Sequence, residues 1–144
     1  MSENSVSHPL ENVVKKEKSV DLCDKKECIS QNINGEKQTI VIREMRPEDV
    51  SAVAALESAC FSEPWSEQAF LDALKQPEAL MMAAIGMGNN LLGYCGIYLS
   101  ADEGEITNVA VRPDHRKQGI ADAILTAVFL AAQKRGIRTI YLEV

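Results

Sequence analysis

Residues 38–144 predict an α/β (α+β) protein built on one mixed sheet. Three observations carry that expectation. Short apolar, β-branched runs recur between turn signals; longer stretches carry apolar residues at helical spacing; and the two kinds follow each other in the order β-α-α-β-β-β-α-β. An antiparallel meander followed by a parallel β-α-β unit is the arrangement that order favours.

The elements follow from particular residues. Gln38–Met45 contains Thr39-Ile40-Val41-Ile42, a β-branched first strand. Pro47 opens a helix whose first turn holds Glu48 and Asp49, where acids complement the dipole. Val50, Val53, Ala54 and Leu56 give it an apolar face to about Cys60. Ser66 is placed to cap a second helix, with Ala69, Phe70, Leu71, Ala73 and Leu74 at helical spacing and Pro77 as its stop. Ala79–Met87 and Leu91–Leu99 read as strands joined by Gly88-Asn89-Asn90, with Gly93 and Gly96 weakening the latter or marking a bulge. Asp102-Glu103-Gly104 turns into a fourth strand, Glu105–Arg112. A long helix over Gly119–Arg135 places Ile120, Ile124, Val128 and Ala131/Ala132 on one face and stops at Gly136. Ile137–Val144 is the fifth strand.

Residues 1–37 differ in character. They are rich in Ser, Asn, Lys and Glu and predict a mobile polar tail, with Lys15–Lys18 either a solvated cluster or a contact for an acidic partner. Composition narrows the function classes. The 144 residues are 46% hydrophobic and 25% charged, an ordinary globular balance for one domain. No apolar run reaches membrane-spanning length, and Met1-Ser2-Glu3-Asn4 lacks the features of a secretory signal. A net charge of −6 argues against broad nucleic-acid binding. Cys60 and Cys95 sit in apolar patterns as expected buried thiols, and Cys23 and Cys28 lack the further ligands a zinc site needs. No metal is expected, and a reducing cytoplasm is the expected home.

The chemistry concentrates at Val109–Leu125. The apolar run Val109-Ala110-Val111 feeds a basic, breaker-rich loop and then a helix, a junction suited to phosphate because helix N-termini offer unpaired N–H groups. The Walker pattern is missing, and only Gly119 of a dinucleotide fingerprint is present. Arg116-x-x-Gly119-x-Ala121 resembles the Q/R-x-x-G-x-G/A pyrophosphate loop of the GNAT-superfamily N-acetyltransferases. Phe61-Ser62-Glu63-Pro64-Trp65-Ser66, Asn108-Val109-Ala110-Val111 and Tyr141-Leu142-Glu143-Val144 further resemble the ribosomal-protein alanine N-acetyltransferases (RimI-like).

That resemblance, over about residues 38–144, implies a GNAT acyl-CoA N-acyltransferase fold and acetyl-CoA as cosubstrate. It implies cofactor contacts at Val109, Ala110 and Val111 along the strand. Further contacts fall at Arg116, Lys117, Gln118, Gly119, Ile120, Ala121 and Asp122 in the loop and first helical turn. Asp122 departs from the expected chemistry, since an acid there repels a pyrophosphate. Glu143 matches the family's catalytic glutamate; the alternative reading is an exposed strand carboxylate, and Glu105 competes for the role. Phe61 and Trp65 are either core lids or the wall of an acceptor site. The implied acceptor is a protein N-terminus, the alanine of a small-subunit ribosomal protein, with a lysine side chain or small amine as alternatives. A non-catalytic CoA-binding module is the competing class. The family carries a proton-donating tyrosine in a segment beyond the Leu-Glu-Val strand, and this sequence ends at Val144. The expectation is therefore a C-terminally truncated domain whose last strand forms an open, aggregation-prone edge.

Overall fold

The computed structural model describes the backbone of residues 5–9, 20–23, 26–33 and 36–143, and the side chains of residues 39–142. Strands β1 (Ser5–Pro9), β2 (Val20–Cys23) and β3 (Lys26–Ile33) precede β4 (Glu36–Glu44). Helices α1 (Val50–Cys60) and α2 (Glu67–Leu74) follow, then β5 (Ala79–Ile85), β6 (Leu91–Ser100) and β7 (Glu103–Val111). Helix α3 (Ile120–Lys134) and β8 (Thr139–Glu143) complete the order. The sheet runs β1-β8-β7-β6-β5-β4-β3-β2, with β7 and β8 parallel and every other pair antiparallel. From β4 onward this is the β-α-α-β-β-β-α-β order predicted from the sequence.

The centre of the sheet, β5 and most of β6, is buried on both faces. Along β5, Leu80, Met82 and Ala84 join the α3-side core, while Met81, Ala83 and Ile85 join the α1/α2-side core. Two covered faces explain why the strand reads as an unbroken apolar run. Helix α3 buries Ile120, Ile124, Val128 and Ala132 on its face of the sheet. On the opposite face, Val50, Val53 and Leu56 of α1 pack with Phe70 of α2. Ser66 caps α2 by accepting from the Ala69 N–H at 3.1 Å.

Several boundaries shift for local reasons. Pro47–Asp49 is a single 3-10 turn before α1, because Asp49 accepts from the Arg46 N–H (2.8 Å) and binds Arg43 (2.6 and 2.9 Å). The hairpin before β7 turns on Ala101 and Asp102, with Ala101 at φ 53°, so Glu103 and Gly104 belong to the strand. A bulge does fall at Gly96/Ile97, opposite Thr107 on β7.

Two expectations about the ends change. Where a mobile tail was expected over 1–37, Ser5–Pro9, Val20–Cys23 and Lys26–Ile33 are strands; the Lys15–Lys18 cluster lies outside the described residues. Adding a strand to a sheet edge needs backbone N–H and C=O groups rather than apolar side chains, so polar composition does not preclude it. The outer side of β8 is likewise not an open edge: β1 pairs along it from Pro9↔Thr139 to Ser5↔Glu143.

Candidate active site

The site forms where β7 runs past the pairing of its parallel neighbour. β7 and β8 are paired from Glu103↔Thr139 to Ile106↔Leu142, and Val109–Val111 continue beyond that register. The Thr107 bulge also changes which face the strand presents. Ile106 lies in the α3-side core, whereas Asn108 meets α1 and Ala110 joins the α1/α2-side core. Bulges that re-aim side chains in this way are common beside active sites.

A cleft of about 520 Å³ opens there, walled by Val109, Ala110 and Val111 on one side and Arg116, Lys117, Gly119, Ile120, Ala121 and Asp122 on the other. Cys60, Phe61 and His115 close its remaining sides. Gly119 is the N-cap of α3 at φ 81°, ψ 10°. Lys117 also has positive φ, at 63°. Backbone that alternates into the left-handed region gathers N–H groups into an anion-binding concavity, and here it adjoins a helix N-terminus. Gly119 serves this shape because a left-handed backbone penalises a Cβ.

Charge in the cleft is mixed. Arg116 is tied down: its Nε donates to the Val111 carbonyl at 3.2 Å and its Nη2 lies 3.6 Å from Cys60 Sγ. His115 pairs with Asp114 at 3.0 Å, and this contact and Arg112 hold the Asp114 carboxyl below its usual range. Asp122 stands in the wall as the sequence anticipated, and its carbonyl accepts from Thr126 Oγ1 at 2.7 Å. Gln118 alone of the expected cofactor residues does not line the cleft. Its Oε1 is buried without a hydrogen-bond partner among the described residues. Cys60, expected in the core, instead borders the cleft half-buried, because it occupies the last turn of α1; Cys95 is fully buried, and burial pushes its thiol up to about 12.

A second cavity of about 240 Å³ adjoins the first and shares Phe61 with it; Glu57, Trp65, Thr107 and Asn108 contribute to its walls. Phe61 is 40% exposed between the two. Trp65 combines both readings made from sequence. It packs on the α1/α2-side core, with its ring centroid 5.3 Å from that of Phe70 and 6.5 Å from that of Tyr98, and it also lines this cavity. The backbone of Glu143 is placed in β8, one residue past the Ile106↔Leu142 pair. Glu105 is exposed on β7 opposite Tyr141 and Tyr98.

Sequence reasoning passed over Glu57. Its carboxylate is only 2% exposed and accepts from Trp65 N–H (2.9 Å), Asn108 Nδ2 (3.1 and 3.2 Å) and the Tyr94 hydroxyl. Burial, then the bond to Glu57, raises the Tyr94 phenol well above its ordinary value. A signal was available: Glu57 falls on the apolar face of α1, three residues after Ala54 and four after Val53. No cluster of three or more metal-ligating side chains occurs among the described residues.

A cleft between the end of β7 and a helix N-terminus entered through a left-handed glycine is a place to hold an acyl-CoA, and the chain belongs to the acetyltransferase (GNAT) family, whose model matches residues 50–144. Its members use acetyl-CoA as acetyl donor. Among particular proteins, it is 30% identical over 108 residues to a Bacillus subtilis (strain 168) protein provisionally named ribosomal protein bS18-alanine N-acetyltransferase, covering 75% of this chain and 72% of that one. It is 29% identical over 103 residues to the ribosomal protein bS18-alanine N-acetyltransferase of Escherichia coli (strain K12), covering 72% and 68%. The crystal structure of the ribosomal-protein-S18-alanine N-acetyltransferase from Escherichia coli superposes with a TM-score of 0.65 at 28% identity, covering 73% of this chain and 66% of that one.

Proposed function

We propose that this chain transfers the acetyl group of acetyl-CoA to the N-terminal alanine of a small-subunit ribosomal protein. The observation that carries the reading is the meeting of the two cavities at Phe61, one lined by the Val109–Val111 backbone and the α3 N-terminus, the other by Trp65 and Asn108. The named activity of the Bacillus subtilis and Escherichia coli relatives supports the choice of acceptor.

In this reading the first turn of α3 and the backbone of residues 116–122 receive the pyrophosphate, with Lys117 supplying positive charge. Val109–Val111 pair with the extended arm of the donor, and a backbone N–H of that stretch polarises the thioester carbonyl. The acceptor arrives as an ammonium and must shed a proton before it attacks. Glu143 takes that proton, directly or through water; attack on the carbonyl then breaks the thioester C–S bond, and CoA leaves as its thiolate and takes a proton from solvent. Phe61 and Trp65 wall the acceptor's path. No helix among the described residues is long and apolar enough to cross a membrane, and we place the reaction in the cytoplasm, beside the ribosome.

The deciding experiment incubates the protein with labelled acetyl-CoA and total ribosomal proteins, then maps the label. Label on an N-terminal alanine of a small-subunit protein is the expected result. Label confined to lysine side chains or polyamines would remove the acceptor assignment.

A further inference from the structure

The Glu57 cluster fixes the orientation of an amide. A carboxylate only accepts hydrogen bonds, so the donors around Glu57 require that Asn108 turn its Nδ2 toward it. The Asn108 carbonyl oxygen then faces the other way. It is buried, in a side chain 7% exposed, and it has no partner among the described residues. Buried acceptors of this kind are rare in folded proteins and call for a specific explanation.

Asn108 also lines the cavity of about 240 Å³, where the titratable neighbours are Glu57 and Glu63 and no Lys, Arg or His contributes to the wall. The cavity's carboxylates suit a cationic donor, and the unfilled acceptor belongs to a side chain in its wall. We propose that Asn108 Oδ1 receives the acceptor's primary ammonium or amine in this cavity, and that Glu57 is the positioning residue that holds the amide in its receiving orientation. The proposal rests on the amine-acetylation reading. An amide is no base, so Asn108 orients the nucleophile and leaves proton removal to another group. Because Asn108 immediately precedes Val109, an amine bound to it lies next to the strand that lines the donor cleft.

Glu57→Gln separates orientation from packing, since the two side chains are isosteric. The Trp65 N–H claims the Gln oxygen, and the new Nε2 replaces the oxygen that faced Tyr94 and Asn108, so the Asn108 amide loses one of its two acceptors and meets a donor in its place. Held less firmly, the amide also populates the rotated form, in which its Nδ2, a donor, meets the incoming ammonium.

The test uses alaninamide and N-acetylalaninamide as probes and the emission of Trp65, the chain's single tryptophan, as readout. Wild type should bind alaninamide in preference to N-acetylalaninamide. Glu57→Gln should weaken alaninamide by about 10–100-fold, the factor one charge-assisted hydrogen bond carries. It should raise the amine KM more than it lowers kcat, with acetyl-CoA affinity unchanged by calorimetry. Asn108→Leu should lose the preference altogether. The proposal is overturned if wild type fails to bind alaninamide, if it binds the acetylated probe equally, or if folded Glu57→Gln binds as wild type does. Failure of the acetylation reading looks different: alaninamide binding that depends on Glu57, with no acetyl transferred to any amine.

Discussion

Replacing Gly119 tests the donor cleft most directly. Its φ of 81° and ψ of 10° place it in the left-handed region at the N-cap of α3, in the cleft wall. Gly119→Ala keeps the charge and adds a Cβ in a conformation that costs an ordinary residue about 1–2 kcal/mol. Gly119→Asn, better tolerated there, should cost less. Gly119→Glu adds to the strain a bulky negative group where an anion must sit on backbone N–H groups. Losing one or two charge-assisted hydrogen bonds at about 1.5–3 kcal/mol each weakens binding by at least about tenfold and up to about 10⁴-fold. Calorimetric titration with acetyl-CoA and thermal melts on all three variants separate the two costs. Stability should fall for Ala and Glu, with Asn intermediate, while affinity should collapse only for Glu. A folded Gly119→Glu protein that binds acetyl-CoA as wild type does would show that the pyrophosphate lies elsewhere.

The Arg43–Asp49 pair gives a pH signature. Burial raises the Asp49 carboxyl, but the bidentate bond to Arg43 and the Arg46 N–H outweigh it, so the folded value is depressed. Its stabilisation, about 1–3 kcal/mol, is fully present above the unfolded value near 3.9 and is lost as pH falls through the folded value. The stability gap between wild type and Asp49→Asn should therefore close on acidification, and a gap that does not change with pH would contradict the assignment. In a Cys23→Ser/Cys28→Ser background, iodoacetamide near pH 8 should modify Cys60 and spare Cys95, whose thiol is pushed up to about 12. Saturating acetyl-CoA should slow that modification, because Cys60 borders the donor cleft; mass spectrometry of the two peptides reads both effects. Glu143→Gln should lower kcat by about 10²–10⁴ while leaving acetyl-CoA affinity intact, and a smaller effect in steady-state kinetics would assign the base to another group.

Much of this protein could be read from local pattern. The β-branched run at Thr39–Ile42, the Ser66 cap, the helical spacing of Ile120, Ile124 and Val128 and the stop at Gly136 each express a backbone preference within a few residues, and the observed elements follow them. The Arg116-x-x-Gly119-x-Ala121 spacing was visible for the same reason: a left-handed glycine and a helix N-terminus are local features. The Glu57–Tyr94–Asn108 cluster was not local. Its members are 37 and 51 residues apart, and the Thr107 bulge decides that Asn108 faces α1 when simple alternation would place it with Ile106. The fate of the β8 edge was equally out of reach, since β1 joins it through backbone hydrogen bonds that leave no mark in the side-chain pattern. Composition and periodicity determined which stretches form strands and helices and which junction gathers backbone donors. Only the tertiary structure decided which polar groups are withdrawn from water together, because burial is a property of packed neighbours rather than of residues in a row.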